Sequence, residues 1–361
     1  MWSSPFRPAL VAAGARFGIY GSCEVAERFG DDILAEYRAV RTTAGLVDVS
    51  YRRKIRVRGE DRTSFLQGML SNDVAGLGPG QGCHAAFLTV QGKVVADLRV
   101  YRLGDAVLLD VEPAAAAGLL DGLERHVVAD DVELADVTAE VAALSIQGPR
   151  ADQVIAAIVG EIEPLRRDLD VREVVVGGAE AMLVRVREAG EIGYELLLPA
   201  ARATEMWELV VARGAPFGLL PVGHLAFNVL RIEAGIPWYG VDVDDTRLVL
   251  EAALDDAVSA TKGCYLGQEV VERASARGHV NRRLIGLRIL DSGVPRVGAI
   301  VRVEGKDVGT VTSAVESPAL GRPVALAYVR REHLQPGARV TVDSTDGPTA
   351  AEVTPLPFYG R

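Results

Sequence analysis

Apolar and polar residues alternate with two periods along this chain, and the pattern changes near residue 283. Before that point, helical and strand spacings interleave. Glu36 to Ala44 spaces its apolar residues as an amphipathic helix does, and Thr63 to Ser71 repeats the spacing through Phe65, Leu66, Met69 and Leu70. Pro113 to His126 is alanine-rich, with proline near its start, where the missing N–H costs no helical bond. Lys54-Ile55-Arg56-Val57-Arg58 alternates as a half-buried strand does, and Val94 to Leu103 with Ala106 to Val111 predicts a hairpin around Gly104-Asp105. A second unit of the same kind follows. It comprises a strand over Ala142 to Ile146, a helix over Arg150 to Val159, a hairpin of Ala181 to Arg187 with Tyr194 to Leu198, and helices over Ala203 to Arg213 and Val222 to Ala234.

After Arg282 the segments become short and alternating: Leu284 to Leu290, Ala299 to Val303, Val308 to Val315, Pro323 to Val329 and Arg339 to Val342. Gly, Pro and Asp turns separate them, the mark of a small all-β barrel. The chain therefore reads as α+β, two α/β units with antiparallel sheets followed by a C-terminal β-barrel. The expected division is 1–140 with 220–282, then 141–219, then 283–361.

At 361 residues the chain suits two or three such units. A net charge of −10 argues against broad binding to nucleic acid or to an anionic membrane. Cys23, Cys83 and Cys264 show no CxxC spacing, so neither a disulfide framework nor a cysteine-rich metal site is expected. The start of the chain lacks the pattern of a signal peptide, and no apolar run approaches a membrane span, so a cytoplasmic location is expected. Gly76-Leu77-Gly78-Pro79-Gly80-Gln81-Gly82 is followed by no Gly-Lys-Ser/Thr, so it reads as a turn rather than a phosphate loop.

Candidate chemistry gathers at Lys262-Gly263-Cys264-Tyr265-Leu266-Gly267-Gln268-Glu269. The helical run from Gln268 to Ala274 places Cys264 near a helix start and beside an ammonium, both of which favour thiolate. Arg273 and Arg277, four apart, share a helix face, and a basic face there could take an acidic tail.

This segment resembles the K-G-C-Y-x-G-Q-E signature of the YgfZ family, folate-binding proteins that support iron–sulfur enzymes, within the glycine-cleavage T-protein superfamily. Further blocks are similar to that superfamily's: Glu36 to Arg41 with Ala44 to Ser50, Ser71-Asn72-Asp73-Val74, Gln147-Gly148-Pro149 and Arg231-Ile232-Glu233-Ala234-Gly235. The resemblance implies a glycine-cleavage T-protein-like fold around a central folate cavity, with tetrahydrofolate or a one-carbon derivative as cofactor. It implies Cys264 as the working thiol, Asp97 as the catalytic carboxylate and Glu195 as the carboxylate that pairs with the pterin's donors. Arg185 and Arg231 would order the site or meet folate carboxylates. Lys262, Tyr265 and Gln268 would contribute from the cysteine motif, with Arg273 and Arg277 at the mouth. No metal ligand set is expected. The implied partners are folate and iron–sulfur client or assembly proteins, with no nucleic acid and no membrane. The rival enzyme reading is a folate-dependent aminomethyl- or methyltransferase using Asp97. Against glycine cleavage itself stand three departures, one being the cysteine motif Lys262 to Glu269 where a D-F-x-G-x-E stretch is usual. Gly21 to Glu27 replaces the G-W-x-x-P…Y stretch, and Glu188-Ala189-Gly190-Glu191 stands where Y-T-G-E is usual.

Overall fold

The computed structural model describes every residue except Arg277, Ser292, Asp346 and Arg361. Its first sheet has five antiparallel strands, in the order Gln81–Leu88, Val94–Arg102, Val107–Val111, Arg53–Arg58 and Glu133–Asp136. Alternation along Val94–Arg102 gives the sheet two different faces. Ala96, Leu98 and Val100 enter an apolar core with Phe65, Leu66, Leu119 and Leu123 from the helices Arg62–Met69 and Pro113–Glu124. Asp97, Arg99 and Tyr101 point the other way.

The second sheet has six strands: Val171–Val176, Ala179–Arg185, Gly193–Pro199, Val141–Gln147, Ala44–Asp48 and Leu219–Pro221. All neighbours are antiparallel except the last pair. Ala44–Asp48 comes from the stretch 1–140, and Leu219–Pro221 straddles residue 220, so this sheet draws on both of the first two expected units. Sequence alternation could not show Ala44–Asp48, because its first four residues are all buried. The Gln-Gly-Pro block supports it: Gly148 has φ +136°, and a Cβ there would lie 2.6 Å from the Thr43 carbonyl oxygen.

A third core lies between the two sheets, where Tyr101 and Leu108 of the first meet Ala143, Val184 and Leu197 of the second. The turn from Gly76 to Gly82 joins them at one edge. Gly80 N–H donates to Arg102 at 2.8 Å, its carbonyl accepts from Val171 at 2.9 Å, and a Cβ on Gly82 would meet the Leu169 carbonyl at 2.5 Å.

Residues 282–354 form a closed six-stranded barrel, ordered Arg282–Ile289, Arg322–Arg330, Lys306–Ser317, Ile300–Val303, Arg339–Ser344 and Gly347–Thr354. Five strands coincide with the expected alternating segments. The sixth begins Gly-Pro-Thr-Ala-Ala, too poor in β-branched and aromatic residues to stand out.

Helix His224–Glu233 holds the barrel to the sheets through buried charges. Glu233 accepts from Arg41 at 2.5 Å, Tyr37 at 2.7 Å and the Ser317 hydroxyl of the barrel. Arg231 pairs with Asp242 and donates to the barrel's Ser313 at 2.8 Å. Expected to order the site or to meet folate carboxylates, Arg231 is 1% exposed and donates to Asn228, Asp242 and Ser313. No described helix is long and apolar enough to cross a membrane.

Replacing Arg231 by methionine strands the Asp242 carboxylate inside the protein. The variant should lose about 3–5 kcal/mol of stability, as removal of one partner from a buried pair does, read as a lowered urea midpoint. A loss below about 1 kcal/mol, the range of exposed pairs, would mean that the pair does not hold the barrel in place.

Candidate functional site

The polar face of the five-stranded sheet carries a row of charges in register. His84 lies opposite Arg99, Arg99 opposite Asp110, and Asp110 opposite Lys54, on four successive strands. Asp97 stands two residues before Arg99 and so shares its face. Arg52 donates to Asp110 at 2.6 Å and pairs with Glu112, extending the array. The six-stranded sheet brings Glu195 and Ser145, also cross-strand neighbours, and the loop between strands Ala179–Arg185 and Gly193–Pro199 brings Glu188. Arg99 joins the two sheets. Its guanidinium donates to Glu195 at 2.5 Å and to Glu188.

Between these groups lies a cavity of about 210 Å³. Asp97, His84, Arg99 and Glu188 stand on its wall, with Leu98, Leu169, Val186 and Ile236 as apolar lining and the indole of Trp238 as a flat side. Arg231 stacks on that indole 4.5 Å from its centre, which positions Trp238 from behind. Despite burial, Arg99 and Arg52 hold the Glu188 carboxyl below its usual range. Burial raises the Glu195 carboxyl to about 7 against the pull of Arg99, and the charges of Glu188 and Asp110 add to the rise. One guanidinium thus serves two carboxylates of unlike basicity.

His84 sits between two carboxylates, Nε2 against Asp97 and Nδ1 2.9 Å from Asp256. Burial alone would lower its pKa, but Asp97 and then Asp256 outweigh it and raise the imidazole to about 10. The Ser71-Asn72 pair builds this arrangement. Asn72 Nδ2 donates to the carbonyls of His84 at 2.8 Å and Asp256 at 2.9 Å, while Ser71 Oγ donates to Ala257 and accepts from Ala86 N–H. Strand and loop are thereby clamped at the spacing the imidazole bridges.

The other expected residues scatter. Asp97 reaches the cavity, but Glu195, expected to meet a pterin, is fully buried: its Oε1 accepts from Arg99 at 2.5 Å, and its Oε2 has no partner among the described residues. Arg185 pairs with Asp168 at 3.3 Å and donates to Leu165 at 2.9 Å, which fastens the segment carrying the lining residue Leu169. Lys262 does not turn its ammonium to Cys264. Its Nζ donates to the carbonyls of Gln67 and Leu70 at 2.6 Å and Asn72 at 3.0 Å, satisfying the end of helix Arg62–Met69. Burial lowers that amine to about 8. Tyr265 is buried with its ring 5.0 Å from the Lys262 ammonium, and Gln268 opens helix Gln268–Ala276 by donating to Glu272 at 2.7 Å. Cys264 and Arg273 are exposed, and Arg277 lies outside the described residues.

His84, Arg99, Glu188 and Trp238 were missed as site residues. Strand alternation after Asp97 pointed to Arg99, and Glu188 stood among the departures already noted. His84 and Trp238 had no local signal. Gln147 of the Gln-Gly-Pro block holds Glu188 in place: its Oε1 accepts from Glu188 N–H at 3.2 Å, and its Nε2 donates to Ser145, whose hydroxyl donates to Glu188 at 3.0 Å.

Residues 6–262 match the GCVT N-terminal domain, and residues 282–360 match the glycine cleavage T-protein C-terminal barrel domain. The chain is 37% identical to an aminomethyltransferase of Geobacillus kaustophilus over 361 residues, covering 99% of this chain and 98% of that one. It is likewise 37% identical to an aminomethyltransferase of Rubrobacter xylanophilus, over 97% of this chain and 92% of that one. The crystal structure of the glycine cleavage system aminomethyltransferase T from Bartonella henselae superposes with a TM-score of 0.89 at 26% identity, with 99% of each chain covered.

His84 makes stability pH-dependent in a stated direction. Its raised pKa means that the bridge contributes in full below the ordinary histidine value near 6.5 and is lost as pH rises through about 10. His84→Gln should cost about 2–3 kcal/mol at pH 7, as charge-assisted hydrogen bonds do, and that deficit should shrink as pH approaches 10. A deficit independent of pH in urea unfolding would show that the imidazole is neutral in the folded protein.

Proposed function

The chain belongs to the glycine-cleavage T-protein superfamily, and from that premise we propose that the cavity between its sheets is a one-carbon transfer site of the aminomethyltransferase type, with a reduced folate as carrier. The observation that carries the reading is Asp97. Its carboxylate stands on the wall of the cavity, held by the imidazole of His84.

The lining fits a folate head group. Trp238 and the aliphatic wall suit a fused planar ring, and the Arg99–Glu188 pair offers both donor and acceptor to a polar ring edge. The folate would supply the nucleophilic nitrogen that carries the one-carbon unit. The chain's own groups then have separable tasks. His84 orients Asp97, and Asp97 stabilises positive charge on an amine beside it or takes its proton. Trp238, backed by Arg231, limits the ring's tilt. Arg99 and Glu188 set its rotation.

Iron–sulfur maturation, with its client or assembly proteins, rests on the Lys262–Glu269 segment alone. Cys264 is exposed, and the ammonium beside it in sequence is engaged elsewhere. The relatives named above carry the transferase name, so transfer chemistry is placed first.

Asp97→Asn keeps the side chain's shape and should leave the dissociation constant for tetrahydrofolate within about threefold, while the rate of methylene-tetrahydrofolate formation from an aminomethylated donor falls about 100-fold or more, the usual worth of a positioned acid or base. Calorimetry and single-turnover assays read the two quantities. A wild type that binds tetrahydrofolate yet transfers from no such donor would overturn the transferase reading. Loss of cluster-enzyme activity in a Cys264→Ser complementation would then support maturation.

A further inference from the structure

The His84 bridge runs from the cavity wall to solvent. Asp97 at its inner end keeps 14% of its side-chain exposure and the imidazole 21%, whereas Asp256, which also borders the cavity, keeps 76%. Nδ1 lies 2.9 Å from Asp256 Oδ2, and Nε2 faces Asp97 Oδ1. Asn72 holds the backbone on both sides of the outer contact. The other charges around the ring are engaged elsewhere. Arg99, opposite His84 on strand Val94–Arg102, donates to Glu188 and Glu195. Asp255, beside Asp256, pairs with Arg283, and Asp73, next to Asn72, accepts from Gln67 and Gly76. Among the described residues the imidazole thus meets two proton acceptors, one shielded and one in water.

We propose that Asp256 is the outlet through which His84 releases a proton to solvent when Asp97 takes one from a bound amine. The inference rests on the reading of the cavity as a transfer site and adds the route of its protons. In the resting bridge both ring nitrogens carry a proton, held there against burial by Asp97 and then Asp256. When Asp97 takes the amine's proton, an N–H bond breaks, an O–H bond forms, and the imidazolium loses its inner counter-charge. Burial then favours the neutral ring. The Nδ1–H bond breaks, its proton passes through the Asp256 carboxylate to water, and Nε2–H stays in place. One proton has entered the bridge and one has left, so its net charge is unchanged. The reverse sequence, with Nδ1 protonated again through Asp256, frees the Asp97 proton for the departing group. Asp256 touches no substrate in this scheme; it is a positioning residue that acts through His84.

Two variants test the outlet. Asp256→Asn keeps an acceptor for Nδ1–H but takes no proton. Its His84 titration midpoint, followed by NMR with His84→Gln identifying the resonance, should fall by about one pH unit or more, the usual effect of removing an opposite charge in contact. Its single-turnover rate from an aminomethylated donor should fall about tenfold, with the tetrahydrofolate dissociation constant within about threefold. Asp256→Ala vacates the place of the carboxylate, and formate is small enough to enter it. The rate of that variant should rise about fivefold or more as formate is added, while the wild type does not respond. A purely structural role for Asp256 gives no such rescue. An unchanged His84 midpoint in Asp256→Asn, or no formate response in Asp256→Ala, overturns the outlet while the transfer reading stands. A wild type that transfers from no such donor overturns the transfer reading and this inference with it.

Discussion

Everything at the centre of this protein depends on one guanidinium between two sheets. Arg99 belongs to the five-stranded sheet, yet it donates to Glu195 and Glu188 of the six-stranded part and lies 4.0 Å from Asp110 of its own. Burying a charge is costly unless its partners are in place, and here they come from both sheets at once. The separation of the sheets is consequently tied to the reach of one side chain, and so is the size of the cavity beside it. Apolar contacts around Tyr101, Leu108, Val184 and Leu197 supply the adhesion, but they would tolerate small slips that a guanidinium shared between two carboxylates does not.

The same device recurs at the barrel. Arg41 lies over the ring of Tyr359 near the end of the chain and pairs with Glu191 and Glu233, so helix Ile33–Thr42, the loop before Gly193 and helix His224–Glu233 meet at one cation. Arg231, two residues before Glu233, reaches Asp242 and the barrel strand Lys306–Ser317. Buried arginines thus set the relative placement of three layers that also share apolar contacts, between the sheets around Tyr101 and Leu197 and at the barrel where Ile232 meets Leu284 and Leu326. Trp238 inherits its position from this network, which makes the barrel part of the cavity's construction although barrel residues do not define its polar end.

Several motif residues serve as scaffold rather than as chemistry. Asn72 and Ser71 clamp the loop of Asp256 to the strand of His84, Gln147 seats Glu188, and Lys262 closes the last turn of helix Arg62–Met69. Each leaves a reacting group one bond farther away. A polar residue that satisfies buried backbone carbonyls and one that touches a ligand leave similar marks in a sequence, since both must be a particular type at a particular place. The distances separate them: three carbonyl oxygens within 3.0 Å of Lys262 Nζ account for that lysine fully.

Local periodicity sufficed for much of the architecture. The alternation of Val94–Arg102, the helical spacing of Thr63 to Ser71 and the five alternating segments after Arg282 each follow from side-chain geometry over a few residues, so they were legible without a fold. Asp97 was legible as well, through the block around it. Ala44–Asp48 was not, because a strand covered on both sides has no polar phase. The site's polar end was not either. Arg99 could be placed on the face of Asp97, but nothing within its strand shows that Glu188 and Glu195, about ninety residues on, close over it. Nor does the sequence near His84 show the Asp256 carboxylate that completes its bridge. Hydrogen bonds and ion pairs act over a few ångströms, whereas the residues that make them here are separated by most of a sheet's length of chain. Which carboxylate faces the cavity and which faces a guanidinium was decided only when the two sheets came together.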